Sequence, residues 1–144
     1  MSKRALIIGG AGFIGSHLAD ELLHSGYQVR VLDVLTPQVH PQGNRPKYLS
    51  SDVELYVGDV RDEQATAQAL QNVDVVVHLA AAVGVGQSMY QIAHYTSVNN
   101  LGTAKLLEML VKHPVERLVV ASSMSTYGEG AYVDIEGRPS EARP

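Results

Sequence analysis

Gly9, Gly12 and Gly15 recur at a spacing of three in the stretch GGAGFIGSHLADELL, residues 9–23. Glycines so spaced strip Cβ atoms from a backbone turn, and a stripped turn can lie against the pyrophosphate of a dinucleotide. Gly9 is expected to permit the tight turn, Gly12 the approach of the phosphates, and Gly15 the close packing of a following helix on the sheet. The free N–H groups around Phe13 and Ile14 then meet the phosphates, aided by the positive end of the helix dipole. Asp33 ends the next apolar run about 20 residues on, where a carboxylate can accept hydrogen bonds from ribose hydroxyls. An acid there repels a 2′-phosphate, so the pattern favours NAD over NADP. Arg30, within the same run, does not reverse that preference.

Two further groups could do chemistry. Ser122 and Ser123 follow another apolar run, where hydroxyls either face a ligand beyond the carboxyl end of a strand or simply cap the strand and start a turn. His78 ends a run and invites reading as a general base, although a structural imidazole at a strand end is the plainer account.

These residues need elements to hold them. Five short apolar runs read as strands: RALII (4–8), YQVRVLD (27–33), VELYV (53–57), DVVVH (74–78) and RLVVA (117–121). Helical spacing lies between them, in Ile14, Leu18 and Leu22, in Ala65, Ala69 and Leu70, and in Leu106, Leu107, Leu110 and Val111. Alternating buried strands and helices predict an α/β fold, a doubly wound parallel sheet with right-handed crossovers and strand order 3-2-1-4-5. Residues 34–51, with Pro37, Pro41, Gly43 and Pro46, read as loop. The closing EGRPSEARP is polar and proline-rich, a connection without periodicity.

Composition narrows the class. With 144 residues, 45% hydrophobic content and a net charge of −4, the chain reads as one soluble globular domain. The 11 basic against 15 acidic residues form no cationic run, so neither nucleic acid nor an anionic membrane is an expected partner. Lys3, Arg4 and the apolar residues after them imitate a secretory signal faintly, but glycines interrupt the run and no cleavage site follows. No apolar stretch reaches the roughly 18 residues of a membrane span. The absence of cysteine removes disulfides, thiolate ligands and thiol nucleophiles and fits a reducing compartment. A cytoplasmic location and no metal are the expectations.

GGAGFIGSHL (9–18), GDVRD (58–62), HLAA (78–81), VNNLGT (98–103) and SSMSTYG (122–128) together resemble the successive motifs of the extended short-chain dehydrogenase/reductase family, the sugar-nucleotide epimerases and dehydratases. The resemblance spans nearly the whole chain and implies a Rossmann-type NAD-binding domain over residues 1–144. It implies that Asp33 holds the adenosine ribose, that Asp59 and Val60 line the adenine, and that Leu79, Ala80 and Ala81 flank the nicotinamide. Asn99 then has a mainly structural role. Ser123, five residues before Gly128, matches the serine or threonine that hydrogen-bonds the sugar oxygen undergoing oxidation, with Ser125 beside it on the substrate side. Tyr127 belongs to a turn that shapes the pocket.

In the family a Tyr followed four residues later by Lys takes the hydroxyl proton, the nearby cation lowering the phenol pKa. No tyrosine of this sequence has lysine at that spacing. The expectation is therefore a truncated amino-terminal portion, lacking the Tyr–Lys helix, the last strands and a carboxy-terminal sugar-binding domain, and inactive alone. Such a portion would leave the Ser123 strand as an exposed edge. It would also alter any homodimer, which in the family uses the helix before that strand together with the missing one. Dehydratases of the family carry Asp-Glu directly after the catalytic Thr, where this chain has Met124 and Ser125. That difference favours oxidation and re-reduction at C4 of a nucleotide-linked hexose, with Gly84 standing where many 4-epimerases have lysine. The competing readings are a related dehydratase or reductase, a stand-alone NAD-binding or redox-sensing module, and a domain that binds no cofactor.

Overall fold

The computed structural model describes residues 2–127 and 131–140. Strand β1 (Arg4–Ile8) runs into helix α1 (Phe13–His24), then β2 (Gln28–Asp33), β3 (Glu54–Val57), α2 (Glu63–Ala69) and β4 (Val75–His78). After β4 come two single-turn helices, α3 (Val85–Ser88) and α4 (Ile92–Tyr95), and α4 continues through a π-helical segment (Thr96–Leu101) into α5 (Gly102–Lys112). Strand β5 (Arg117–Val120) completes a sheet whose order is β3-β2-β1-β4-β5, every pairing parallel. The predicted order and class therefore hold.

Alternation along the strands builds two cores. Leu6, Ile8, Leu32 and Val76 face α2 and α5, meeting Leu70, Leu106 and Met109. Ile7, Val29, Val31 and Val77 face α1 and the connection after β2, meeting Ala19, Leu35, Leu49 and Val53. Central strands covered on both faces must be apolar at nearly every position, and this is why the runs read as continuous. Asp62 caps α2, its carboxylate accepting from the N–H groups of Gln64 and Ala65, with Glu63 in the first turn favourable to the dipole. Residues 34–53 form turns without helix or strand, as the prolines predict.

Two details differ from the sequence reading. On α5 the inward residues are Gly102, Leu106 and Met109, while Leu107 and Val111 are exposed. The helix starts earlier than the leucine pattern suggests, and at its start Gly102 is buried so close to Val60 that a Cβ would stand 2.9 Å from Val60 Cγ1. The polar tail contains a two-stranded antiparallel hairpin, β6 (Tyr132–Val133) with β7 (Pro139–Ser140). Its turn is closed by Asp134, whose carboxylate accepts from the N–H groups of Glu136 and Arg138 at 2.9 Å each, with Gly137 at φ +78°. Gly128 and residues 141–144 lie outside the described residues.

Strand β5 lies at the edge of the sheet, and Val120 on it is 49% exposed. No helix among the described residues is long and apolar enough to cross a membrane, and no cluster of histidine or acidic side chains among them could hold a metal ion.

Candidate functional site

In a parallel sheet all carboxyl ends share one edge. The glycine turn follows β1, Asp33 ends β2, Asp59 and Val60 follow β3, Leu79 to Ala81 follow β4, and Ser123 follows β5. Chain order departs in opposite directions from β1 and β4, which are neighbours, and the crevice between such strands is where open α/β sheets bind ligands.

The turn is built at close quarters. Gly9 has φ +82°, and a Cβ on it would stand 2.6 Å from the backbone nitrogen of Ala80. Its N–H donates to the carbonyl of Leu32 at 2.8 Å, tying the turn to β2. A Cβ on Gly15 would fall 2.5 Å from the Cα of Gly10 and 2.7 Å from the carbonyl oxygen of Gly9. Gly15 therefore lets α1 pack on the turn itself rather than on the sheet, as its spacing had suggested. Gly10, which the spacing does not mark, lies against the Val31 side chain, and a Cβ on it would fall 2.5 Å from Val31 Cγ2. Gly12 is different: the nearest atom to its would-be Cβ is 3.5 Å away, so this side of the turn is open.

Gly12 is also the N-cap of α1, with no side-chain cap. The first bond of the helical ladder runs from the N–H of Ser16 to the carbonyl of Gly12 at 3.0 Å. The N–H groups of Phe13, Ile14 and Gly15 precede that ladder and keep their donors for another acceptor. The Phe13 side chain is 80% exposed, so its contribution to an anion is through the backbone. An open backbone, uncommitted N–H groups and a helix dipole fit a pyrophosphate.

Asp33 is 9% exposed, and its carboxylate accepts from the N–H of Ala11 and the N–H of Leu35, each at 2.9 Å. It therefore staples the glycine turn to the end of β2. Each oxygen retains a lone pair for a further donor such as a hydroxyl. Tyr48, from the connection after β2, donates to the carbonyl of Ala11 at 2.8 Å and holds the turn from outside. A lone aromatic in a proline-rich loop gives no sequence signal for that contact.

Asp59 is gripped by Arg61. The Arg61 Nε and backbone N–H donate to its Oδ1 at 2.9 and 2.8 Å, and Nη2 pairs with Oδ2. The guanidinium holds the Asp59 carboxyl below the usual carboxylate range, outweighing the opposing effect of burial. Arg61 reaches on to Ser97 Oγ at 2.9 Å, and Lys105 donates to the Arg61 carbonyl at 3.0 Å. Val60 is buried in the core, with its carbonyl bonded to the Thr66 hydroxyl.

Leu79 extends β4, donating its N–H to the carbonyl of Ile8 at 2.8 Å. Past Ala80 and Ala81, the side-chain amide of Asn99 accepts from the N–H of Ala82 at 2.8 Å and donates to its carbonyl at 3.1 Å. Gly84 has φ +130°, a conformation in which a lysine would be strained. His78 is 3% exposed and bonded to Thr103, which argues against a role as general base.

Ser123 is exposed. Its Oγ lies 3.1 Å from Ser125 Oγ and accepts from the Ser125 N–H at 3.1 Å, while its carbonyl accepts from the N–H and hydroxyl of Thr126. The serines thus open a single 3₁₀ turn, Met124–Tyr127, and their hydroxyls remain open to solvent.

The sequence profile of the NAD dependent epimerase/dehydratase family matches residues 5–143. The chain belongs to that family. It is 38% identical over 139 residues to a dTDP-L-rhamnose 4-epimerase of Burkholderia thailandensis, covering 94% of this chain and 38% of that protein. It is 41% identical over 133 residues to a UDP-glucose 4-epimerase of Halalkalibacterium halodurans, covering 91% of this chain and 38% of the relative. Among solved structures, the UDP-glucose 4-epimerase of Thermus thermophilus in complex with NAD superposes with a TM-score of 0.78 at 35% identity, over 95% of this chain and 44% of that one. The chain thus spans about two fifths of the length of these relatives.

Proposed function

We propose that this chain is the NAD-binding portion of a nucleotide-sugar 4-epimerase. The observation that carries the reading is the glycine turn: an open backbone at Gly12, uncommitted N–H groups from Phe13 to Gly15, and the turn fastened to a carboxylate, Asp33, that retains acceptor capacity. In this reading Phe13, Ile14 and Gly15 donate to the pyrophosphate and Asp33 accepts from the adenosine ribose. Asp59 and the backbone of Val60 stand at the adenine, and Leu79, Ala80 and Ala81 wall the nicotinamide. Ser123 orients the sugar oxygen, with Ser125 holding the Ser123 hydroxyl. Bound there, NAD supplies an acceptor for hydride that can return it to the other face of the sugar. The sequence contains no Tyr-x-x-x-Lys, so the reading gives these 144 residues the cofactor-holding share of the reaction and no proton transfer. Met124 and Ser125, in place of an Asp-Glu pair, favour epimerisation over water elimination.

The test is thermal unfolding with NAD and with NADP. A ligand at a hundred times its Kd adds about 2.7 kcal/mol, or about 5–10 °C for a domain of this size. The expected result is a rise of that order with NAD and a smaller one with NADP. A cooperative transition that saturating NAD leaves in place would overturn the reading.

A further inference from the structure

His78 ends β4 between Ile8 of β1 and Val120 of β5 in the sheet register. Its Nε2 is 3.1 Å from Thr103 Oγ1, and the Thr103 hydroxyl donates to the carbonyl of Asn99 at 2.6 Å. A hydroxyl has one proton to give, so toward His78 it can only accept. Nε2 therefore carries a proton, and in the neutral ring Nδ1 is a buried acceptor with no partner among the described residues. Asn99, whose carbonyl receives the Thr103 proton, also fixes both backbone polar groups of Ala82 through its amide. Ala82 continues the backbone against which Gly9 packs. One series of contacts thus runs from the end of β4 through the π-helical segment to the wall beside the glycine turn.

We propose that His78 and Thr103 are positioning residues for that wall, and that protonation of His78 releases it, so that cofactor affinity falls as the pH drops. This rests on the NAD-binding reading above. An imidazolium would carry an N–H at Nδ1 where no acceptor stands, together with a charge in a desolvated place. Among the described residues no ionised group compensates. Arg4 and Arg117 lie at the opposite, amino ends of β1 and β5. On α5, Lys105 is committed to the Arg61 carbonyl and Glu63, while Glu108 and Lys112 are exposed, as is His94 of α4. Asp59 is held by Arg61. Burial alone moves the His78 pKa, downward from 6.5, so the neutral form that supports the wall prevails above that pH and is lost as the pH falls through the lowered pKa. His17 is exposed on α1, its ring edge-on to that of Phe13.

The experiment is calorimetric titration of the 144-residue chain with NAD at pH 7.5, 6.5 and 5.5, for the wild type, His78→Gln, Thr103→Val and Thr103→Ser, each checked for fold by circular dichroism. The wild-type Kd is expected to rise from pH 7.5 to 5.5, by at most about tenfold for a single group whose pKa lies below 6.5. His78→Gln keeps a donor toward Thr103 but cannot titrate, and should flatten that profile. Thr103→Val should weaken binding at pH 7.5, and Thr103→Ser should restore it. If His78→Gln does not fold, the two Thr103 variants and the wild-type profile decide. A wild-type Kd that is level across the range, or a His78→Gln profile identical to that of wild type, overturns the proposal while leaving NAD binding intact. Absence of binding at every pH overturns the NAD-binding reading itself.

Discussion

Gly9 and Gly26 share a backbone φ of +82°, yet their surroundings are opposite. A Cβ on Gly9 would lie 2.6 and 2.8 Å from the backbone nitrogen and Cα of Ala80, and one on Gly26 meets nothing within 4 Å. Alanine at either site bears the same left-handed strain, about 1–2 kcal/mol, and both gain equally from the loss of glycine's freedom in the unfolded chain. The difference between Gly9→Ala and Gly26→Ala therefore isolates the clash. Forcing a methyl into a packed site costs about 1–3 kcal/mol, and backbone atoms on adjoining strands yield less readily than side chains. At about 2–4 °C per kcal/mol for a domain of this size, Gly9→Ala should melt about 2–12 °C below Gly26→Ala in differential scanning calorimetry. Gly9→Ala should also weaken NAD, because the displaced atoms are those of the Leu79–Ala80 wall. Equal melting temperatures for the two variants would show that the turn does not press on β4 as described, and the site built upon that contact would have to be redrawn.

Asp33→Asn should lower the melting temperature, since an amide nitrogen would confront the N–H of Ala11 or of Leu35, at a cost of about 1–3 kcal/mol; calorimetry should also show NAD affinity down about tenfold if the carboxylate accepts from ribose. Acid should act on Asp59 in its own range: a carboxyl held below its ordinary 3.8 contributes stability that is present above that pH and lost as the pH falls below it. The decline in stability between pH 4.5 and 3 should therefore be shallower in Asp59→Asn, as read by urea unfolding at each pH. Gly84→Lys should destabilise by about 1–3 kcal/mol through its backbone conformation and leave NAD affinity unimproved; tighter binding in the same titration would refute that account.

The fold was legible because each central strand is apolar on both faces, a pattern that a parallel sheet requires and few other arrangements tolerate. The glycine turn and Asp33 were legible because backbone geometry there restricts residue type. What escaped was held by side chains that each reach a partner remote in sequence: Tyr48 to Ala11, Arg61 to Ser97, and Thr103 to His78. Periodicity reports which face a residue takes, and it is silent on which hydroxyl or guanidinium crosses between elements. The α5 face was misjudged for a related reason. Leucine spacing chose Leu107 and Val111 over Met109, whereas the buried face runs through Gly102, Leu106 and Met109, and a glycine carries no hydrophobic signal.

Arg30 shows how such a crossing bears on cofactor choice. Three residues before Asp33, it is the arginine or lysine nearest that acid in sequence. Strand alternation turns the two apart: Asp33 shares the face of Val29 and Val31, toward the glycine turn, and Arg30 the face of Leu32, toward α2. There the guanidinium donates to the carbonyls of Ala69 and Gln71 at 2.7 and 2.9 Å, satisfying the carboxyl end of α2, and pairs with Glu54 while lying over the Tyr56 ring. Burial at 5% exposure and four partners leave it no freedom to swing toward a ligand. In the NAD-binding reading, the charge that a bound dinucleotide meets at the end of β2 is therefore that of Asp33, and discrimination against a phosphorylated ribose would follow from the two-residue period of the strand as much as from the identity of the acid.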